Sequence, residues 1–299
     1  MPPIPPPRAQ GFTSTTPVPL YWAEYGDPDA PPVLLLHGGP GASHEYLLPQ
    51  MLALAEEHRV VCYDQRGGGR SRLDDDRATI GWRDQVADVE RVALELDVAP
   101  LALVGYSWGG LLAMLYAIEA ASGRIATAPA SLTLIDPAPV TRPLRDAFEK
   151  EFALRQAGPA VAALRDELQR SGLKERDPEA YRQRAFEISV AGYFADPRRA
   201  RDLTPFRVQG RVQQSIWQSL GDYDILPALR TLRVPSLILH GREDPIPLAS
   251  SQEAARALGT ECIVLHDCGH VPYVEQPAQL FPPLLAFLRE RRASPHPTG

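Results

Sequence analysis

The sequence LALVGYSWGGLLAMLYAI, residues 101–118, decides the fold. Its apolar start predicts a buried strand, and its apolar end predicts a helix. Between them, Gly105 and Gly109 enclose Ser107 in a G-x-S-x-G pattern, which at a strand-to-helix junction is typical of a nucleophilic serine. We expect a turn too sharp for a Cβ atom at either glycine, so that the Ser107 hydroxyl is exposed at the edge of a sheet. The alternative is a glycine-rich connection without chemistry.

Short apolar runs recur along the chain, each followed by a turn rich in Gly, Asp or Pro. They cover residues 33–36, 59–63, 101–104, 132–135, 237–239 and 262–265. Helix-compatible stretches follow two of these strands, at residues 43–57 and 82–96, and residues 18–25 alternate as an early strand or hairpin. Strands alternating with helices predict an α/β fold with a mostly parallel sheet and with its chemistry at the carboxyl ends of the strands.

The strand pattern stops between residues 137 and 226. Apolar residues there have helical spacing, for example Phe148, Phe152 and Leu164. We predict a helical cap inserted after the sixth strand, which lies over the strand ends and walls the site. The predicted domains are a first core part (1–136), the cap (137–226) and a second core part (227–299). Ordinary surface helices elsewhere on the domain are the alternative.

Composition excludes several classes of function. The chain has 299 residues, 44% of them hydrophobic, and a formal net charge of -6 without a basic run, which argues against a nucleic-acid partner. No apolar run reaches the roughly 18 residues of a membrane span, and the proline-rich start at residues 1–7 has no secretory core. We therefore expect a cytoplasmic protein with no membrane partner. Cys62, Cys262 and Cys268 lack C-x-x-C spacing, so neither disulfides nor a metal site is predicted.

A serine nucleophile needs a base, and the base needs an acid that orients it. In this architecture the chain order is serine, acid, histidine. Asp244 follows the strand at 237–239, and His270 follows the strand at 262–265 in a loop opened by glycine. Glu243 and His266 are the competing acid and base. We interpret His37 and His240 as structural.

The negative charge on the attacked carbonyl oxygen needs fixed donors. We expect one donor in the backbone N–H of Trp108, directly after the serine, and another in the loop after residues 33–36. Gly39 is the first candidate there and Gly38 is the alternative.

Three motifs together resemble the α/β-hydrolase family of prolyl iminopeptidases and tricorn-interacting aminopeptidases. They are His37-Gly38-Gly39-Pro40-Gly41, Asp64-Gln65-Arg66-Gly67-Gly68-Gly69-Arg70-Ser71 and Gly105-Tyr106-Ser107-Trp108-Gly109. The resemblance covers residues 18–135 and 227–290. It implies the α/β-hydrolase fold, removal of an amino-terminal residue, often proline, from small peptides, and no metal or organic cofactor.

The chain departs from that family in the cap. Members hold the substrate ammonium with glutamates, several of them from the cap, and bacterial prolyl members carry a Trp-Glu pair where this chain has Trp217-Gln218. Other acids are candidates for the ammonium site: Glu45, Glu149, Glu151, Glu187, Asp222 and Asp224. Trp108, Tyr193, Phe194 and Trp217 are candidate apolar walls.

We therefore expect a serine hydrolase, first a prolyl iminopeptidase-like aminopeptidase that acts through an acyl-enzyme. A carboxylesterase or amidase on small apolar acyl substrates is the alternative. In either case the partner is a small molecule or short peptide. A non-catalytic binding module usually loses members of the serine, acid and histidine set, and an epoxide or haloalkane hydrolase needs an aspartate where Ser107 stands.

Overall fold

A computed structural model describes residues 3–73 and 80–293. The outermost residues of the predicted core parts, at positions 1–2 and 294–299, lie outside the described ranges. Eight strands form one sheet: β1 (Ala9–Phe12), β2 (Tyr21–Tyr25), β3 (Pro32–Leu36), β4 (Arg59–Tyr63), β5 (Ala102–Tyr106), β6 (Ser131–Ile135), β7 (Ser236–Gly241) and β8 (Cys262–Leu265).

The sheet has the strand order β1-β2-β4-β3-β5-β6-β7-β8. The strands β3 to β8 pair in parallel, and β1 and β2 add an antiparallel edge. Apolar residues on both faces of the central strands are fully buried, as a parallel sheet covered by helices requires. The predicted α/β fold with a mostly parallel sheet is therefore confirmed.

Helices cover both faces of the sheet and fill the connection between β6 and β7. They are α1 (Trp82–Glu95), α2 (Trp108–Ala121), α3 (Arg142–Ala157), α4 (Pro159–Arg170), α5 (Leu173–Arg176), α6 (Pro178–Val190), α7 (Gly210–Leu220), α8 (Leu226–Leu229), α9 (Leu248–Leu258), α10 (Pro272–Glu275) and α11 (Pro277–Ala293). Of the helices described, none has the length and apolar character that a bilayer crossing demands.

The segment between β6 and β7 is helical, with the helices α3 to α8 and two short 3-10 helices at Ala191–Tyr193 and Pro197–Asp202. Val161, Leu164 and Ile188 pack into the apolar cluster that also contains residues of β3, β4 and β7. Burial of these side chains against the core holds the segment over the sheet. The division into a separate cap and core stays a prediction.

Two local expectations differ from the structure. The segment 43–57 forms two 3-10 helices, His44–Leu47 and Gln50–Glu56, instead of one α-helix. Pro49 explains the break because it removes a backbone donor and favours an extended Leu48, whose φ is -103° and ψ is 151°. The expected early strand or hairpin at residues 18–25 contains only β2. Its antiparallel partner is β1, which lies before residue 18.

Candidate active site

Ser107 lies at the junction of β5 and α2 in a conformation that side-chain-bearing residues rarely adopt. Its φ is 54° and its ψ is -119°. A Cβ atom on Gly105 would lie 2.3 Å from the carbonyl oxygen of Gly109, and a Cβ on Gly109 would lie 2.0 Å from that of Leu36. Only glycine fits at both positions, so the strand and helix can approach closely enough to hold the serine in this turn.

The structure brings Ser107, His270 and Asp244 together from three separate strand ends. The Nε2 atom of His270 is 3.0 Å from the Oγ atom of Ser107. On the other side of the ring, Nδ1 is 2.7 Å from Oδ2 of Asp244. The chain from hydroxyl through imidazole to carboxylate has the geometry required for a base to take the serine proton.

Asp244 and His270 are both buried, and burial opposes charge on each. It lowers the pKa of His270 to about 4. Burial also raises the pKa of Asp244, while the hydrogen bond from the N–H of Ile246 opposes that rise. A neutral His270 at neutral pH can accept a proton from Ser107.

The loop that carries His270 is fixed from two directions. Its backbone N–H donates to the Tyr193 carbonyl at 2.7 Å, and Tyr106 Oη donates to the His270 carbonyl at 2.7 Å. Glu275 accepts the N–H groups of Gly269 and Ala195, each at 2.8 Å. The imidazole is therefore held by both the sheet and the segment between β6 and β7.

The competing residues lie elsewhere. Glu243 accepts the backbone N–H of Cys268 at 2.9 Å, so its carboxylate supports the loop before His270. His266 is exposed, and its Nδ1 accepts a hydrogen bond from Arg242. Neither contacts Ser107, so geometry favours Asp244 and His270.

The two histidines interpreted as structural have backbone or hydroxyl partners. His37 accepts the N–H of Gln65 on Nε2 at 3.0 Å. His240 pairs with the hydroxyl of Ser251 at 2.8 Å and lies 3.1 Å from the carbonyl of Ile246. Burial lowers the pKa of His240 to about 3 and that of His37 to about 4, so both are neutral.

The loop after β3 lies against Ser107, since a Cβ atom on Gly38 would be 2.7 Å from the Cβ of the serine. The N–H of Gly38 already donates to Tyr46 Oη at 2.7 Å, which favours Gly39 over Gly38 as an oxyanion donor. The N–H of Trp108 belongs to the first turn of α2, where backbone donors have no intrahelical acceptor. The indole of Trp108 donates to Gln65 Oε1 at 2.9 Å, so the loop after β4 braces this corner.

Two adjoining cavities open onto Ser107. The first, of about 350 Å³, is the apolar lobe; its walls include Tyr46, Phe186, Val190, Leu203, Phe206 and Val208. The second, of about 410 Å³, is the polar lobe; its walls include Arg145, Phe148, Glu149, Gln214 and Trp217. Gly39, Ser107, Phe152, Tyr193, Gln213 and His270 line both.

The candidate ammonium partners are distributed unevenly around these lobes. Glu149 lines the polar lobe, and one of its oxygens is 2.6 Å from Arg145. Glu151 and Glu187 pair with Arg155 and Arg184 and line neither lobe. Glu45 pairs with Arg70 beside a different cavity, and Asp222 and Asp224 are exposed outside both lobes. Of the candidate walls, Trp108, Tyr193 and Trp217 line a lobe, whereas buried Phe194 lines neither.

Among the described residues, one group of side chains could hold a metal ion by proximity alone: one potential ligand atom each of Asp136, His240 and Asp244 lies within 4.8 Å of the other two. The Asp244 oxygens accept from Ile246 and His270, and both His240 nitrogens have the partners given above. We therefore assign no metal to this group. Sequence reasoning gave Asp136 no role; the only signal was its position directly after β6.

Comparisons with known proteins agree with the fold. The profile described as Alpha/beta hydrolase family matches residues 33–282. A proline iminopeptidase of Lactobacillus helveticus is 26% identical over 253 residues, 83% of this chain and 86% of that protein.

Solved structures are similar over nearly the whole chain. A proline iminopeptidase-related protein of Thermus thermophilus superimposes with a TM-score of 0.70 and 24% identity, over 95% of this chain and 99% of that one. An enol-lactonase of Burkholderia xenovorans gives a TM-score of 0.65 and 21% identity, over 93% and 100%. At these identities the structural likeness shows the fold alone.

Proposed function

Because the chain belongs to the alpha/beta hydrolase family, we propose that it is a serine hydrolase whose nucleophile is Ser107. The hydrogen-bonded chain from Ser107 through His270 to Asp244 carries this proposal. His270 takes the hydroxyl proton as the oxygen attacks a carbonyl carbon, and Asp244 stabilises the resulting imidazolium. The N–H groups of Gly39 and Trp108 bind the developing oxyanion.

His270 gives the serine proton to the leaving amine or alcohol, which completes the acyl-enzyme. A water molecule then gives a proton to His270 as it attacks the ester carbonyl, and His270 passes that proton to the departing Oγ of Ser107, so that the serine hydroxyl and the neutral imidazole are restored. The products are a carboxylic acid and the free leaving group.

The first candidate activity is that of an aminopeptidase. The Lactobacillus helveticus relative named proline iminopeptidase matches 83% of the chain. An aminopeptidase must bind a free ammonium beside the scissile carbonyl, and a buried cation needs a carboxylate partner. Glu149 offers one in the polar lobe, since its side chain is half exposed and the ion pair with Arg145 uses one oxygen.

The second candidate is a carboxylesterase or amidase, favoured by the apolar lobe. Among the described residues that line this lobe, none carries a carboxylate. A group that fills it makes van der Waals contact with aromatic and aliphatic side chains, as an uncharged acyl chain would.

A substrate panel separates the two activities. It compares the p-nitroanilides of proline and alanine, their acetyl-blocked forms and p-nitrophenyl esters. For an aminopeptidase, the free amines react faster than the blocked ones. The Glu149→Gln variant then loses about tenfold or more in kcat/KM on free amines and little on esters, since a hydrogen bond to a charged group is lost.

Glu151→Gln is the matched control because it changes the same side chain on the same helix outside the lobes. Its rates should equal those of the wild type. Equal rates on free and blocked amines, with no effect of Glu149→Gln, would contradict the aminopeptidase and favour the esterase or amidase.

A further inference from the structure

Behind the acid of the proposed catalytic set lies a second carboxyl group, that of Asp136. It follows β6 directly and is completely buried. Its Oδ1 atom accepts the N–H of Gly241 at 2.7 Å. Its Oδ2 atom has no hydrogen-bond donor among the described residues.

A carboxyl oxygen of Asp136 lies within 4.8 Å of one of Asp244, and both side chains are fully buried. Two carboxylates can only accept hydrogen bonds, so a hydrogen bond between them requires a proton on one of them. Two buried negative charges at this separation would also repel each other strongly. The pair therefore holds one proton and one negative charge.

The surrounding contacts decide which residue carries the proton. Asp244 accepts the Ile246 N–H on Oδ1 at 2.7 Å and faces His270 Nδ1 with Oδ2. Asp136 accepts one backbone N–H, that of Gly241, on Oδ1, and its Oδ2 has no donor among the described residues. More donors stabilise the charge on Asp244, and the proton belongs on Asp136 Oδ2.

We propose that Asp136 is a positioning residue, a neutral carboxylic acid that donates a hydrogen bond from Oδ2 to the Asp244 carboxylate. It fixes the orientation of Asp244 and keeps a single negative charge behind His270. The inference rests on the proposed function, because it gives Asp136 a role in the reaction of Ser107. Burial and the Asp244 charge raise the pKa of Asp136 well above its usual value, in agreement with a neutral acid.

Other titratable groups face this pair from every neighbouring element. They are Tyr106 on β5, Tyr193 on the 3-10 helix Ala191–Tyr193, His240 on β7, Cys262 on β8, Cys268 and His270 after β8, Tyr273 and Glu275 on α10, and Arg155 on α3. Burial lowers the pKa of His240 and raises those of the thiols and phenols, so they remain neutral near pH 7. The variants described below leave Arg155 and Glu275 in place, so these two side chains are the same in every protein that is compared.

Asparagine is the matched substitution for a neutral acid. In Asp136→Asn, the amide oxygen can accept from Gly241 and the amide N–H can donate to Asp244. Asp136→Ala removes the donor. The test measures the titration of His270 by NMR of 13C-labelled histidine, assigned with His270→Gln, and kcat over pH.

If Asp136 is neutral, His270 in Asp136→Asn titrates with the same midpoint pH as in the wild type. The Asp136→Asn variant then also retains most of the kcat that Asp136→Ala loses. We expect that loss to be about tenfold, as for one hydrogen bond to a charged group. If Asp136 is ionised, Asp136→Asn removes a buried negative charge, and the His270 midpoint falls by about one unit or more. That fall would overturn the inference.

Asp267→Asn is the control: Asp136 and Asp267 both have a positive φ, 41° and 52°, but Asp267 is exposed, although it lies near His270 in sequence. It should change neither the midpoint nor kcat. Labelling of Ser107 by a fluorophosphonate separates the two proposals. An unlabelled wild type contradicts the proposed function, whereas a labelled wild type with a shifted midpoint in Asp136→Asn contradicts only the role of Asp136.

Discussion

At the scale of single residues, substitution of two neighbouring acids, Asp244 and Glu243, tests which of them orients the imidazole of His270. Asp244 contacts His270 Nδ1, whereas Glu243 accepts the N–H of Cys268. Asp244→Asn turns an acceptor into an amide that leaves His270 in the wrong tautomer, so we expect kcat to fall on the order of 10⁴-fold. Steady-state kinetics on an activated ester measures it.

Glu243→Gln is the matched comparison, with the same loss of charge one position away. It should retain most of the wild-type kcat, since its partner is a backbone N–H outside the chain from Ser107. A large loss in Glu243→Gln with little loss in Asp244→Asn would assign the acid to Glu243.

The G-x-S-x-G pattern led to Ser107, and chain order then led to Asp244 and His270, because each follows a buried strand and parallel strand ends meet at one edge. Asp136 also follows a strand, yet a carboxylate behind another carboxylate has no pattern in sequence. Its role depends on the hydrogen bonds of both groups, which only the folded arrangement supplies.

At the scale of elements, the turn between β5 and α2 depends on close packing against β3. A Cβ on residue 109 would lie 2.0 Å from the carbonyl oxygen of Leu36, which belongs to a central strand and has little room to move. We expect Gly109→Ala to lower the free energy of unfolding by about 3 kcal/mol, the upper end of the usual range. Urea unfolding followed by circular dichroism measures it.

Gly210 supplies the matched glycine, at the start of α7, where an added Cβ atom would meet no neighbouring atom within 4 Å. Gly210→Ala should change stability by no more than about 0.5 kcal/mol. Equal stability of both variants would mean that the turn tolerates a side chain and that the glycine is not required by packing.

Element boundaries were predictable where hydrophobic runs are long and failed where proline intervenes. The strands β3 to β8 follow apolar runs, and α1 was expected within one residue of its observed end. The segment 43–57 has helix-compatible composition, but Pro49 divides it into two 3-10 helices.

At the scale of the whole molecule, the apolar lobe is built by the core and by the segment between β6 and β7 together. The rings of Tyr46 and Phe206 are 4.4 Å apart across this contact. We expect Phe206→Ala to lower kcat/KM for p-nitrophenyl esters of medium acyl chains by about tenfold, since an aromatic contact is lost. The acetate ester, which does not reach the ring, should be affected less.

Leu154→Ala serves as the control, because Leu154 is a large apolar side chain on α3 that is 59% exposed. It should leave the chain-length profile unchanged. The same profile in Phe206→Ala and the wild type would show that acyl chains bind outside the apolar lobe.

The relation of the helical segment to the site could be predicted only in outline. Its helices were expected from apolar spacing, and Glu149 was among the candidate acids, but sequence alone could not select it because Glu149 and Glu151 have the same local pattern. The structure separates them by their partners: Glu149 lines the polar lobe with Arg145, and Glu151 pairs with Arg155. Such a choice depends on how α3 is rotated against the core.

The central claim is that Ser107 is a nucleophile activated by His270. Intact-mass and peptide mass spectrometry after treatment with a fluorophosphonate tests it most directly. We predict one adduct per chain, on the peptide that contains Ser107, and none in Ser107→Ala, which should also hydrolyse no acyl substrate. An unmodified wild type, an adduct on another residue, or turnover by Ser107→Ala would contradict the account.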